Sequence, residues 1–374
     1  MTKVARIVIL YYLGMVTLYG QPQEAVDLYN QGVEMYSKAN YTQAIHFYSQ
    51  AIDKDINYAN AYYNRGNCRL AMKDLDQAES DFEKVCTLMP NHDKAILFKG
   101  YCQLLKKDYE TAIKSLTTCI ALNPESSNAF INRGSAYLSQ EKYDLAHADF
   151  TQAINLGSQS HIVFQNRGIC RMKLNKDIDA LGDFGMAMDL KPDYLPAQLE
   201  ISKLYLKSSK WNEAISSLTL ALKSDPSNAE LYHYRGYAKL MKEDLNGAMT
   251  DFTICLSIQP DHKAAIENKA IVSYQMGNYE DAVIDYSNVI KQSPTNVTLY
   301  VQRGICLLEI KAFDKAIEDF NYAIKLNDDL AEAYFNRANA YTKTLDIKNA
   351  CKDIKHAAKL GYEPAFAHIN TLCN

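Results

Sequence analysis

Nine cysteines and eight histidines are the residues of this 374-residue chain best able to hold a metal or attack a substrate, so their spacing comes first. No two cysteines stand as Cys-x-x-Cys, the spacing that lets two sulfurs converge on one ion or form a redox pair. His92 and His262 fall in equivalent connecting loops and read as surface residues rather than ligands, and the other histidines are scattered. HExxH, GxSxG, Walker and GxGxxG patterns are missing as well. No catalytic group, metal site or cofactor is therefore expected.

Charged residues recur more regularly. A basic residue (Arg65, Lys99, Arg133, Arg167, Arg235, Lys269, Arg303, Arg337) is followed sixteen positions later by Asp81, Asp149, Asp183, Asp251, Asp285, Asp319 or Asp353, with Ser115 the one exception. This spacing predicts ion pairs such as Arg133–Asp149. As partly exposed pairs they would contribute at most about 1 kcal/mol each and serve to fix register.

The elements that position these residues repeat every 34 residues. Between 127 and 160, Phe130, Ala136, Tyr137 and Leu138 keep helical spacing, a polar break follows, and Tyr143, Ala146, Phe150, Ala153 and Ile154 resume it. Gly32, Gly66, Gly100, Gly134, Gly168, Gly236 and Gly304 mark the period, with Ser202, Ala270 and Ala338 in the remaining places. Ala44, Ala78, Ala112, Ala146, Ala180, Ala214, Ala248, Ala282, Ala316 and Ala350 follow it through ten copies without a gap. Gly inside a helix costs about 1 kcal/mol relative to Ala, so its recurrence implies two helices in close approach. A helix of about 13 residues is marginal alone, and stability must come from stacked neighbours.

A Gly, Tyr three later (Tyr137, Tyr205, Tyr341), Ala twelve after the Gly, an aromatic four further on (Tyr48, Phe82, Phe150, Phe184, Phe252, Tyr286, Phe320) and a closing Pro (Pro90, Pro124, Pro192, Pro226, Pro260, Pro294) together resemble the tetratricopeptide repeat family. The resemblance implies an all-α, right-handed superhelical solenoid whose first helices line a concave groove for partners. The expected organisation is a signal peptide at 1–20, ten repeats over 22–360 and a C-terminal capping helix over 361–374.

Within this frame Asn30, Asn64, Asn132, Asn166, Asn268 and Asn336, with Gln302, stand two residues before the Gly place. Asn is a poor helix former, so propensity does not explain them. In some long members of the family an Asn here forms a ladder whose amides bond an extended peptide, a donor and an acceptor matching one peptide unit. The alternative is that these amides bond neighbouring repeats or merely tolerate solvent. The family's two-carboxylate clamp for chaperone tails is not supplied by any three successive repeats; Asn64 and Asn67, for instance, are followed by Phe98. Other groove candidates are Asn60, Lys94, Asn128, Glu230 and Glu332, then Asn67, Tyr101, Lys203, Tyr237 and Asn339.

Net charge is −4 with no basic block, which argues against nucleic acid as a partner. Lys3 and Arg6 precede an apolar stretch from Ile7 to Leu18, followed by Gly20-Gln21-Pro22. That is the layout of a signal peptide cleaved near Gly20. The stretch falls short of the roughly 20 residues that cross a bilayer, so export to the periplasm or exterior is expected, an uncleaved anchor or an ordinary cytoplasmic start being the alternatives. Cys68, Cys102, Cys170 and Cys306 lie two residues after the Gly place. Equivalent places in adjacent repeats are about 8–10 Å apart, beyond the roughly 7 Å that a disulfide spans, so these read as packing residues, as do Cys86, Cys119 and Cys255. Cys351 and Cys373 flank the turn at 362 and would face each other in an antiparallel hairpin. In an exported protein they could form a disulfide contributing on the order of 3 kcal/mol; two free thiols are the other possibility. At the C-terminus Ala365, Phe366, Ile369 and Leu372 share one face that would cover the last hairpin.

Repeat six departs most, with Pro196, Gln198, Ile201 and Ser202 at places held elsewhere by other types and Trp211 in a Tyr place. It is either a tolerated degenerate copy or a local change of curvature. The functional expectation is a non-catalytic scaffold or adaptor that holds a protein or extended peptide in the groove. A carbohydrate-binding or enzyme-regulating subunit is the alternative, since Tyr-rich grooves also stack on sugars.

Overall fold

The computed structural model describes residues 21–373. The expected signal segment, 1–20, lies outside the described residues. Two compact units divide the chain, one ending at Pro192 and the other starting at Asp193. Every described element is a helix or a turn.

The first unit holds five helix pairs: α1 (Gln23–Ser37) with α2 (Tyr41–Lys54), α3 (Ala59–Ala71) with α4 (Leu75–Leu88), α5 (Asp93–Leu105) with α6 (Tyr109–Leu122), α7 (Ser127–Ser139) with α8 (Tyr143–Asn155), and α9 (His161–Lys173) with α10 (Asp177–Leu190). The second holds α11 (Leu195–Lys207) with α12 (Trp211–Ser224), α13 (Ala229–Met241) with α14 (Leu245–Ile258), α15 (Lys263–Gln275) with α16 (Tyr279–Gln292), α17 (Val297–Glu309) with α18 (Phe313–Leu326), α19 (Ala331–Lys343) with α20 (Ile347–Lys359), and a final α21 (Glu363–Leu372).

Each pair closes through a three-residue turn whose middle residue is left-handed: Ala39, Lys73, Lys107, Glu141, Asn175, Ser209, Glu243, Gly277, Lys311 and Leu345. At the second turn the Lys73 N–H bonds Leu70 O at 3.0 Å and the Asp74 N–H bonds Arg69 O at 2.9 Å, which satisfies carbonyls at the helix end. The Asp74 side chain then caps α4 by accepting from the Gln77 N–H.

Inside each pair the Gly place meets the aromatic of the second helix. A Cβ on Gly134 would stand 3.0 Å from the Phe150 ring, and one on Gly304 would stand 2.7 Å from Phe320. Phe150, Phe320 and the Ala series beside them are fully buried. The predicted packing cysteines Cys68, Cys102, Cys119, Cys170, Cys255 and Cys306 are buried free thiols, and Cys86 is half-buried.

The ion pairs lie deeper than expected. Arg133 Nη2 meets Asp149 Oδ1 at 2.8 Å with the Asp side chain 7% exposed, and Asp81, Asp183, Asp251, Asp319 and Asp353 are also buried. The reason is their place: the carboxylate lies beside the Gly contact, where the two helices run closest. Arg69, Arg171 and Lys239 add a second cation to Asp81, Asp183 and Asp251. Where the Asp is Ser115, a chain from Ser115 to Gln103 to Glu79 replaces the pair at 2.9 and 2.8 Å. In repeat six the Ser202 and Ser217 hydroxyls bond at 2.8 Å and Gln198 reaches the Ser217 carbonyl at 3.1 Å.

Two more expectations need correction. His92 and His262 are half-buried rather than free surface residues. Each caps a helix, its Nδ1 accepting the N–H of Ala95 at 3.0 Å or of Ala265 at 3.2 Å, and the cap place turns the ring toward the preceding repeat. Phe366 stays 55% exposed although Ala365 is fully buried. It stands one residue, about 100°, off the stripe that α21 buries.

Candidate partner-binding face

Successive first helices touch one another within each unit: α1 with α3, α5 with α7 and α7 with α9 in the first, α11 with α13, α13 with α15 and α17 with α19 in the second. In each unit they make a wall, on which the recurring amides lie.

Those amides divide by what the preceding repeat offers them. Asn64 Nδ2 donates to the Tyr29 hydroxyl at 2.9 Å, and Asn268 Nδ2 lies 3.2 Å from His233 Nε2. These two bond a neighbouring repeat. The residue 35 positions earlier is Leu97 for Asn132, Ile131 for Asn166 and Val301 for Asn336, none of which has a polar side chain. Among the described residues, Asn30, Asn132, Asn166, Gln302 and Asn336 have no side-chain hydrogen bond. Asn30 is exposed and the other four are half-buried.

The groove candidates one turn further along line open hollows. In the first unit Asn67 and Tyr101 face a hollow of about 690 Å³ together with Tyr36, Leu70, Phe98 and Leu105. In the second, Lys203 and Tyr237 face one of about 490 Å³ with Leu206, His233, Tyr234 and Asn268, and Asn339 lines another with Leu308, Phe313 and His368. Sequence reasoning named the polar members and missed the apolar floor, whose residues also read as ordinary helix stripe. Lys203 is engaged with Glu200 at 2.9 Å.

At the edge of the second hollow Glu230 accepts from His262 Nε2 at 3.0 Å. Burial opposes its charge, but the hydrogen bonds from His262 and Tyr234 outweigh that and hold Glu230 below the usual carboxylate range. Burial, reinforced by His262, pushes His233 down to about 4. Burial and Glu230 together push Tyr234 up to about 12.

Cys351 and Cys373 are joined, with Cα atoms 5.1 Å apart. The bond ties α21 to α20, against which Ala365, Ile369 and Leu372 also pack.

Three sequence profiles, each of the tetratricopeptide repeat, match the chain, one over residues 59–92, one over 106–161 and 268–331, and one over 331–360. No match to a curated protein was found. Among solved structures, a tetratricopeptide repeat protein from Parabacteroides merdae is 18% identical over 67% of this chain and 99% of its own, with a TM-score of 0.48. MamA from Desulfovibrio magneticus RS-1 is 22% identical over 47% of this chain and 99% of its own, with a TM-score of 0.44. YrrB, described as having an unusual peptide-binding site, is 20% identical over 59% of this chain and 97% of its own, with a TM-score of 0.40.

Proposed function

Because the chain belongs to the tetratricopeptide repeat family, we propose that it is a protein-interaction scaffold that holds a partner in extended form along its first-helix face, and that it works outside the cytoplasm. The observation that carries the reading is the pair of amides without a side-chain hydrogen bond on neighbouring repeats, Asn132 and Asn166. Adjacent packed helices stand about 8–10 Å apart and an extended chain rises about 3.3 Å per residue. One amide would therefore meet every third peptide unit, with little regard for side chains. The hollows beside Tyr101 and Tyr237 would take the side chains that give preference.

Screening a displayed peptide library against the protein and against Asn132→Ala/Asn166→Ala tests this. The reading expects peptides whose binding the double variant weakens about tenfold or more. Peptides that bind both alike would remove the amides from the account. A glycan array separates the carbohydrate reading, which the Tyr-lined hollows alone favour. Export is supported by the apolar stretch from Ile7 to Leu18 and by the Cys351–Cys373 bond, since disulfides persist in oxidising compartments. N-terminal sequencing of the mature protein tests it: a chain starting near Gln21 agrees, and one retaining Met1 in the cytoplasm does not.

A further inference from the structure

Where α13 meets α15, three side chains able to ligate a cation converge. Glu230 and His233 are three residues apart on α13, and His262 caps α15. One donor atom from each lies within 4.8 Å of the other two. His233 Nδ1 is buried without a hydrogen-bond partner, and Nε2 faces only the Asn268 amide.

Ring contact at this place is ordinary in the fold. Tyr29 meets Tyr58 with centroids at 5.0 Å, Tyr63 meets His92 at 5.1 Å and Phe335 meets Tyr362 at 5.2 Å, against 4.8 Å for His233 and His262. Those contacts are aromatic packing and lack the full donor set. The equivalent trio where α3 meets α5, Asn60, Tyr63 and His92, offers one imidazole and no carboxylate. Only the α13–α15 junction, among the described residues, carries a donor at all three places.

We propose that Glu230, His233 and His262 form a binding site for a divalent transition ion of the zinc class, with the remaining coordination position facing the hollow beside Tyr234 and Tyr237. Two imidazoles and one carboxylate suit zinc, whereas calcium and magnesium take oxygen ligands. Donors around a tetrahedral zinc stand about 3.3 Å apart, so the set must close. Glu230, with its side chain 47% exposed, is free to move inward. His262 must also exchange roles. Its Nδ1 accepts the Ala265 N–H, so its proton is on Nε2 and points at Glu230. On binding, Nε2 takes the ion, the proton passes to Nδ1, and the cap bond to Ala265 is released.

Calorimetric titration of the tag-free, chelator-stripped full chain with zinc chloride tests the site. The variants are His233→Tyr, the residue that Tyr29 and Tyr63 supply at this place, and His262→Asn, the cap that Asn228 and Asn296 supply at theirs. Both keep all the cysteines, so zinc held by thiols would persist in them. The site predicts one equivalent bound by the unaltered chain and affinity weakened about tenfold or more in each variant. Their melting in chelator should match the parent. Absence of binding by the parent, or equal affinity in the variants, would overturn it. Cobalt(II) absorption of the unaltered protein is a second readout independent of the variants: a spectrum without sulfur charge transfer fits the three donors, and a strong thiolate band contradicts them.

Discussion

Arg133 holds both carboxylate oxygens of Asp149, through Nε and Nη2 at 2.8 Å each, while its Nη1 reaches the Thr117 hydroxyl of the preceding repeat at 3.1 Å. The same three-way hold recurs at Arg65 with Asp81 and Ser49, at Arg303 with Asp319 and Ser287, and at Arg337 with Asp353 and Asn321. Each arginine thus fastens its own helix pair and the pair before it. Replacing it strands a buried carboxylate. Arg133→Ala is expected to lower stability by about 3 kcal/mol in denaturant unfolding, with Arg133→Lys in between because an ammonium cannot make the two-pronged bond. A loss within the roughly 1 kcal/mol of a surface pair would show that solvent reaches the site.

Gly304 sets a second prediction. A methyl there would press on the buried Phe320 ring, so Gly304→Ala should destabilise by about 1–3 kcal/mol despite its better helix propensity. Ala270 already occupies the equivalent place opposite Tyr286, so Ala270→Gly is the matched control and should not show a gain. A neutral or stabilising Gly304→Ala, read by thermal melting, would mean the helices can part at no cost.

Leu345 is left-handed and 83% exposed, so its side chain neither packs nor suits its backbone. Leu345→Gly is expected to raise stability by about 0.5–1 kcal/mol. Unchanged or lowered stability would mean that the turn adjusts without strain.

The cysteines give a labelling pattern. Burial pushes the Cys102, Cys170 and Cys306 thiols up to about 12 and the Cys68, Cys119 and Cys255 thiols up to about 11. Since the thiolate is the reactive form, these six should resist alkylation of the native protein even at mildly alkaline pH, and the half-buried Cys86 should react first. Mass spectrometry without reductant should recover Cys351 and Cys373 as one linked peptide. Finding both alkylated would remove the bond. Cys373→Ser should cost about 3 kcal/mol.

What could be read beforehand was what depends on residue type at fixed spacing: the Gly against its aromatic, the Ala series, and basic and acidic residues sixteen apart. What could not be read lacks such a signature. The third arm, where an arginine has one, lands on Ser49, Thr117, Thr219, Ser287 or Asn321, no one type. The left-handed turn is filled by Ala39, Lys73, Glu141 and Leu345 as readily as by Gly277, so its backbone is set by the end bonds of the helix rather than by a preferred residue. The fate of Asn64 and Asn268 was decided by Tyr29 and His233 in the repeat before, a relation that a single repeat does not contain. His262 looked like loop until its ring was placed against α13.

The arginine fastening bears on how such an array can change length. Its partners lie at constant offsets, sixteen residues ahead and sixteen behind. Excision of residues 134–167 would leave Arg133 facing Asp183 instead of Asp149, with Thr117 still behind it. Unequal recombination that removes or duplicates a period between repeats carrying both the Arg and the Asp therefore leaves no orphaned charge at the seam, whereas one that sets Arg65 opposite Ser115 would strand the guanidinium, so the gene can grow or shrink by modules only where both halves of the buckle are present.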